Sequence, residues 1–267
     1  MKYIDINCDM GESFGAYTIG MDDEVLPHIT SANIACGFHA GDPMVLRKTV
    51  HMARKSDTGV GAHPGFPDLI GFGRRKMDCT LAEISNYVIY QVGAIQGFCK
   101  AENTVLQHVK PHGGLYNMAA EDPEIVKAIA EAVASLDKDL LLVCLAGNNA
   151  PLFRKIAENA GIRVMLEAFP DRAYTPEGTL VSRSKPHAVV KDPGEVAKRA
   201  LMMAAEGRIE AEDGSMLSLE PDTLCVHGDT PAAVEMVRNI KELLVQHNVR
   251  VMPMGQIQAI RDRDGKR

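Results

Sequence analysis

Tryptophan is missing from this chain of 267 residues, and aromatic side chains of all kinds make up only 5% of it. Core packing must therefore come from aliphatic residues and from some of the 14 methionines. An excess of positive charge is missing too. Lys and Arg number 29 against 35 Asp and Glu, a formal net charge of −6. That balance offers no electrostatic footprint for duplex nucleic acid or for an anionic membrane surface. No apolar run is long enough to cross a bilayer; the longest, Leu140 to Ala146, has the length of a buried strand. The cysteines (Cys8, Cys36, Cys79, Cys99, Cys144 and Cys225) are scattered with no Cys-x-x-Cys pair. They fit reduced thiols in a cytoplasmic protein rather than a disulfide scaffold or a structural zinc site. No apolar signal-peptide core follows Met1-Lys2-Tyr3-Ile4-Asp5. A P-loop is excluded because G-x-x-x-x-G-K-[ST] does not occur, and no G-x-G-x-x-G follows the first strand to suggest a dinucleotide fold.

What is present is a recurring unit: a short apolar run, a Gly-rich or polar turn, then a helical pattern. The runs are Tyr3 to Asn7, Ser31 to Ala35, Val60 to His63, Val105 to Lys110, Leu140 to Leu145, Val164 to Phe169 and Thr223 to His227. Helical patterns lie at Pro43 to Lys55, Leu81 to Lys100, Asp122 to Leu136, Asn149 to Ala160, Pro193 to Ala205 and Pro231 to Gln246. Asp-Pro pairs at 42–43, 122–123 and 192–193 supply an N-cap followed by Pro at the first helical position, and Thr80-Leu81-Ala82-Glu83 reads as a capping box. Strands alternating with helices imply parallel pairing and right-handed crossovers. The expectation is an α/β fold, a TIM-like seven-stranded (β/α) barrel forming a single domain over residues 1–267. An open doubly wound sheet is the alternative, and Val249 to Met252 is a candidate eighth strand. The segment around 171–222 is irregular. Its Thr175-Pro176-Glu177-Gly178 turn and Asp213-Gly214 hairpin signal mark an excursion rather than a second domain.

Function is suggested by where polar residues fall within the strands. Alternate side chains along a strand share a face. Asp5, Asn7 and Asp9 therefore point one way, as do His108, Lys110 and His112, and again Cys225, His227 and Asp229. Charged groups on an inward face are costly without partners, but the C-terminal mouth of a barrel is where catalytic groups collect. Glycine and proline turns follow several of these strands: Asp9-Met10-Gly11-Glu12, Cys36-Gly37-Phe38-His39-Ala40-Gly41-Asp42, His63-Pro64-Gly65, Lys110-Pro111-His112-Gly113-Gly114 and His227-Gly228-Asp229.

Some polar residues have a purely structural reading. His28, His51 and His187 fit hydrogen-bonded supports, Asp5 a barrel-floor ion pair, Asp42 an N-cap, and Cys36 and Cys225 small packing residues. Arg74-Arg75-Lys76 reads as a solvated turn, although Gly71-Phe72-Gly73 before it could bring it to a phosphate. His108 and His112 suggest a metal pair only on a helix; on a strand they stand roughly 13 Å apart. Asp9, His39 and His63 could converge from three strands, but spacing does not establish it, and no metal ligands are assigned.

Long stretches resemble one family. Asp5 to Glu12, Ser31 to Asp42, Gly61 to Asp68, His108 to Asn117, Phe169 to Tyr174 and Cys225 to Asp229 occur in the order and wording of the LamB/YcsF family. Gly114, Pro170 and Lys185-Pro186-His187 depart from its usual pattern without removing a candidate catalytic group. The resemblance implies a barrel related to glycoside hydrolases and polysaccharide deacetylases, and a 5-oxoprolinase activity that opens the lactam of 5-oxoproline to glutamate. It also implies ATP as co-substrate, with Mg2+, and partner subunits B and C. Any ATP contact must be made without a Walker loop or with help from a partner. On this basis Asp9, assisted by His63, is the expected general base, with Lys110 and His112 stabilising negative charge. Arg172 or Arg183 is expected to clamp the substrate carboxylate, within a binding set of Asn7, Glu12, Asn33, His39, Asp42, Asp171, Arg172, Arg183, His227 and Asp229. Self-association is left open. Two readings compete with this one: a stand-alone metal-dependent deacetylase or amidohydrolase, and a non-catalytic substrate-binding subunit.

Overall fold

A nine-residue strand, β1 (Lys2–Met10), is where the sheet closes on itself. The computed structural model describes residues 2–226 and 232–265. β1 is followed by β2 (Ser31–Ala35), β3 (Gly59–His63), β4 (Leu106–Val109), β5 (Leu141–Leu145) and β6 (Arg163–Ala168). Then come a hairpin of β7 (Arg208–Glu210) and β8 (Met216–Ser218), β9 (Thr223–Cys225) and β10 (Val249–Val251). β1 to β6 pair in sequence order, β9 joins β6, and β9 also pairs with β1, so seven parallel strands form a closed barrel. The open-sheet alternative is thereby excluded. β10 pairs in parallel with the start of β1 (Lys2↔Val249, Ile4↔Val251) below the point where β9 takes over, so this eighth strand stays outside the ring.

Helices form where the sequence carries start signals. Asp42 accepts from the Met44 and Val45 amides, Asp122 from Glu124 and Asp192 from Glu195, and Thr80 with Glu83 makes a reciprocal capping box. Each cap satisfies amides that the first helical turn leaves without a partner. Besides a one-turn helix at Asp22–Val25 and the 3-10 turn Leu26–His28 that follows it, two longer helices lie outside the expected set. Gly113–Glu121 starts immediately after Pro111-His112, and Met254–Arg263 follows β10. The second helps close the barrel floor, where Met252, Met254 and Ile257 bury against Leu141, Val143 and Met165. The Asp213-Gly214 signal is realised as the β7–β8 hairpin, with Gly214 at φ 85°.

Above that apolar floor the barrel interior is polar. Asp5 is fully buried and accepts hydrogen bonds from the Thr30, Ser31 and Thr223 hydroxyls, so hydroxyls hold it rather than the expected ion pair. Burial raises its pKa from 3.8 to about 6 despite those hydrogen bonds. One level higher, the registers Asn33↔Gly61 and Gly61↔His108 set the His108 ring over Gly61. A Cβ at Gly61 would lie 2.0 Å from His108 Nε2, so the strand needs a glycine there.

Two expected outcomes follow from this interior. Gly61→Ala should lose roughly 1–3 kcal/mol through overpacking, whereas Gly93→Ala, on an exposed helical turn with open space around it, should gain roughly 0.5–1 kcal/mol. Urea unfolding of the two variants checks the contrast. For Asp5, a folded pKa above the unfolded one means that stability is lost as pH rises through about 6. Asp5→Asn has no such loss. Its stability relative to wild type should therefore rise by about 2–3 kcal/mol between pH 4 and pH 8, read from denaturation midpoints; a pH-independent difference contradicts the assignment.

Candidate active site

Lys110 enters the barrel just beyond β4, and its side chain is buried at 3% exposure. The ammonium lies 2.9 Å from Asp9 Oδ1 on β1, 2.9 Å from Glu167 Oε1 on β6 and 3.3 Å from Asn7 Oδ1. Its fourth neighbour, Cys225 Sγ on β9, is 3.1 Å away. Burial alone lowers the lysine pKa, but the surrounding charges outweigh it and hold the ammonium well above the usual value. Cys225 is itself pushed up by burial and remains a neutral thiol at neutral pH, so Asp9 and Glu167 carry the compensation. Lys110 is thus a fixed cation and not a base.

Side-chain amides fix the carboxylates around it. Asn33 Nδ2 donates to Asp9 Oδ1 (2.9 Å) and to Asn7 Oδ1 (2.7 Å), and Asn7 Nδ2 donates to Glu167 Oε1 (2.9 Å). His108 donates from Nε2 to Asn33 Oδ1 (2.7 Å) and accepts at Nδ1 from Gln107 (3.1 Å), which sets its tautomer. Burial, with help from Lys110, lowers the His108 pKa to about 3, so the ring is neutral. Asn7 and Asn33, expected to bind substrate, are fully buried beneath the cleft and orient Asp9 and Lys110 instead. Alternation along a strand assigns the correct face, but two residues further down the strand is about 6–7 Å deeper in the barrel.

A second group adjoins the first. His63, at the end of β3, places Nε2 3.3 Å from Asp9 Oδ2 and 2.9 Å from His112 Nδ1. Its Nδ1 faces the Lys110 carbonyl at 2.7 Å, and His112 Nε2 faces the Phe72 carbonyl at 2.8 Å. His39 stacks on His112 with ring centroids 3.7 Å apart and planes 1° from parallel. Glu12 Oε1 stands 3.7 Å from His39 Nε2 and 3.8 Å from His112 Nδ1. Burial lowers the pKa of His112 to about 3 and that of His39 well below its ordinary value, so both rings are neutral. Gly73 makes room here: it sits at φ 61°, and a Cβ would lie 2.6 Å from His39 Cβ. Glu12, His39, His63 and His112 each present a ligand atom within 4.8 Å of the others. On an extended strand His108 and His112 would stand too far apart to share an ion. In the structure His108 stays in the barrel interior while the turn at Pro111 carries His112 to His39 and His63.

Over both groups opens a cleft of about 390 Å³. Asp9, His63, Lys110 and His112 reach its base, Phe169 and Tyr116 line one side, and Arg74, Lys76, Arg172 and Arg183 supply cations. Arg172 is held by the Ala188 and Val181 carbonyls, and burial beside Arg183 lowers its pKa to about 10, leaving it charged at neutral pH. The 71–76 turn is therefore not simply solvated. Arg74 lies over the Phe72 ring, Lys76 pairs with Glu121, and only Arg75 turns away, to Asp68. Asp42 uses its carboxylate for helix capping and for the Gly15 amide, and Asp171 is buried away from the cleft lining. His227 and Asp229 lie outside the described residues. Glu167 escaped the sequence reading, although a single carboxylate inside the apolar run Val164 to Phe169, in phase with Phe169, was a usable signal. Tyr116 escaped because Gly113-Gly114 reads as a loop.

Among the described residues no helix is long and apolar enough to cross a membrane. The sequence matches the family model described as LamB/YcsF over residues 4–259. The 5-oxoprolinase A subunit of Pyrococcus furiosus is 52% identical over 252 residues, covering 94% of this chain and 98% of the relative. That of Natranaerobius thermophilus is 52% identical over 255 residues, covering 96% and 98%. In structure, the lactam utilization protein of Thermus thermophilus superposes with a TM-score of 0.87 at 48% identity, over 94% of this chain and 99% of that one. A peptidoglycan deacetylase of Bacillus subtilis, at 11% identity and a TM-score of 0.52 over 99% and 93%, shares the fold alone. With a family match across nearly the whole barrel and relatives at half identity over their full length, this chain belongs to the LamB/YcsF family.

Proposed function

We propose that this chain is the subunit of an ATP-dependent 5-oxoprolinase in which the lactam ring of 5-oxoproline is opened. One observation carries the reading: a permanently charged Lys110, clamped between Asp9 and Glu167, faces a cleft whose other cations suit a small anionic substrate. The name that the relatives share, 5-oxoprolinase A subunit, supports the same substrate and also supports partners, here the B and C subunits. The chain is a single catalytic barrel, cytoplasmic, with its cysteines reduced. With no Walker loop in the sequence, ATP and its Mg2+ are held either by a contact of another kind on this chain or with the help of a partner subunit.

A five-membered lactam resists water because amide resonance must be broken first. Transfer of the ATP γ-phosphoryl group to the lactam oxygen removes that protection and creates an electrophilic carbon. Water then adds to that carbon and gives up a proton to the Asp9–His63 pair. The ring nitrogen takes a proton and leaves as an amine, opening the ring to an acyl phosphate. A second water releases phosphate and glutamate. Arg172 or Arg183 binds the α-carboxylate, and Lys110 faces the oxygen on which negative charge develops, while the single N–H of neutral His112 is taken by the Phe72 carbonyl. Fixed donors in a buried site need no reorganisation as that charge appears. Asp9 is held in place by Asn33 and Lys110 and is thereby oriented toward the cleft.

With partner subunits, ATP and 5-oxoproline present, Asp9→Asn and Lys110→Met should each slow glutamate release by about 10²–10³-fold. Arg183→Ala should chiefly raise KM. Near wild-type turnover in both of the first two variants, with folding verified by circular dichroism, removes these residues from the mechanism. Glutamate formation by the isolated chain without ATP would instead point to a stand-alone amidohydrolase.

A further inference from the structure

Two imidazoles at the base of the cleft face each other in a way that neutral rings do not explain. Carbonyl oxygens only accept hydrogen bonds, so the ring nitrogens that meet them carry the protons. His63 Nδ1 meets the Lys110 carbonyl and His112 Nε2 meets the Phe72 carbonyl. The remaining nitrogens, His63 Nε2 and His112 Nδ1, then point lone pairs at each other across 2.9 Å. Beside them His39, at 1% exposure, has no hydrogen-bond partner on either ring nitrogen among the described residues. A buried nitrogen without a partner costs about 1–3 kcal/mol, and it is retained here twice on one ring. Glu12 adds a carboxylate oxygen 3.7 Å from His39 and 3.8 Å from His112.

We infer that Glu12, His39, His63 and His112 form a binding site for one divalent transition-metal cation, with Zn2+ as the best-matched ion. The four ligand atoms lie within 4.8 Å of one another. Zinc–imidazole bonds of about 2.0–2.1 Å allow one ion to reach two nitrogens separated by the observed 2.9 Å. Three nitrogens and one oxygen suit zinc, cobalt or nickel, whereas Mg2+ and Ca2+ call for oxygen-rich shells. The surroundings fit as well. Histidines that bind metals donate their other N–H to a carbonyl or carboxylate, which is what His63 and His112 do. An ion here would supply Lewis-acid polarisation at the base of the cleft. The inference deepens the proposed function by naming an ion at that same site, but it rests on the donor geometry and not on the lactam chemistry.

The test uses the purified full chain, stripped with a chelator and desalted, then titrated with Zn2+ by calorimetry and with Co2+ by visible absorption. Elemental analysis after a second desalting counts the bound ion. One Zn2+ per chain and intense ligand-field bands with Co2+ are expected. His39→Ala and His112→Ala should weaken binding by at least about tenfold, while His51→Ala, in the separate pair with Glu102, should leave it unchanged. Because stoichiometry is read on the wild-type chain, a variant that fails to fold does not decide the matter. No retained ion, or an ion whose affinity is indifferent to His39 and His112, overturns the site and leaves a shared proton between His63 and His112. Failure of the titrated chain to retain an ion, together with ATP-dependent glutamate release by that chain and its partners, would overturn the metal and keep the lactam reading. A bound ion without ATP-dependent glutamate release would do the reverse.

Discussion

The burial of the Lys110 ammonium is the constraint on which the rest of this barrel depends. An uncompensated charge in such a place costs several kcal/mol, and its compensation comes from residues far apart in sequence. Asp9 and Glu167 belong to strands on opposite sides of the closing strand β9, so they meet Lys110 only once the ring is complete. Each carboxylate is then fixed by an amide, Asn33 for Asp9 and Asn7 for Glu167. Those amides have no room to serve a ligand as well. Stability and chemistry share the same polar layer, and a change to any member leaves another buried group without its partner.

The layering below follows from the same shortage of space. The lowest interior level is apolar and shut by Met252, Met254 and Ile257. The next holds Asp5 among hydroxyls, which satisfy a carboxyl group without demanding a cation. Inside the barrel the ion pairs of the described residues gather at the upper level around Lys110, and it is the level that the cleft reaches. Gly61 belongs to this arrangement because the His108 ring occupies the space a side chain there would need. Packing in a seven-stranded ring is tight enough that one missing Cβ decides whether the His108–Asn33–Asp9 relay can form.

Much of this was legible in the residues. Asp-Pro caps, the Thr80 capping box and the Asp213-Gly214 hairpin signal are local, and local chemistry settled them. Alternation in β1 and β4 assigned Asp5, Asn7, Asp9, His108 and Lys110 to the interior, and all are buried there or reach the base of the cleft. Depth was not legible. Asn7 and Asp9 share a face, yet one lies under the cleft and the other at its base, because register between strands, not parity along one strand, fixes height. Direction after a strand end was also hidden. Pro111 turns the chain into the helix Gly113–Glu121, and this turn, not strand geometry, delivers His112 to His39. His39 sits in a loop whose course depends on close approaches by Gly65 and Gly73, which no spacing rule specifies.

One residue joins the two halves of the site. Through its side chain Lys110 holds Asp9 and Glu167, and through its carbonyl it orients the His63 ring. Asp9 closes the loop, with one oxygen on Lys110 and the other 3.3 Å from His63. A shift of the β4 end would therefore disturb the ion-pair layer and the imidazole cluster together, so neither can be tuned alone. Such coupling suits a site that must handle charge appearing on one substrate atom while a proton leaves another. Both events are referred to a backbone position set by the Pro111 turn and by the Lys110 amide, which donates to the Ala62 carbonyl of β3.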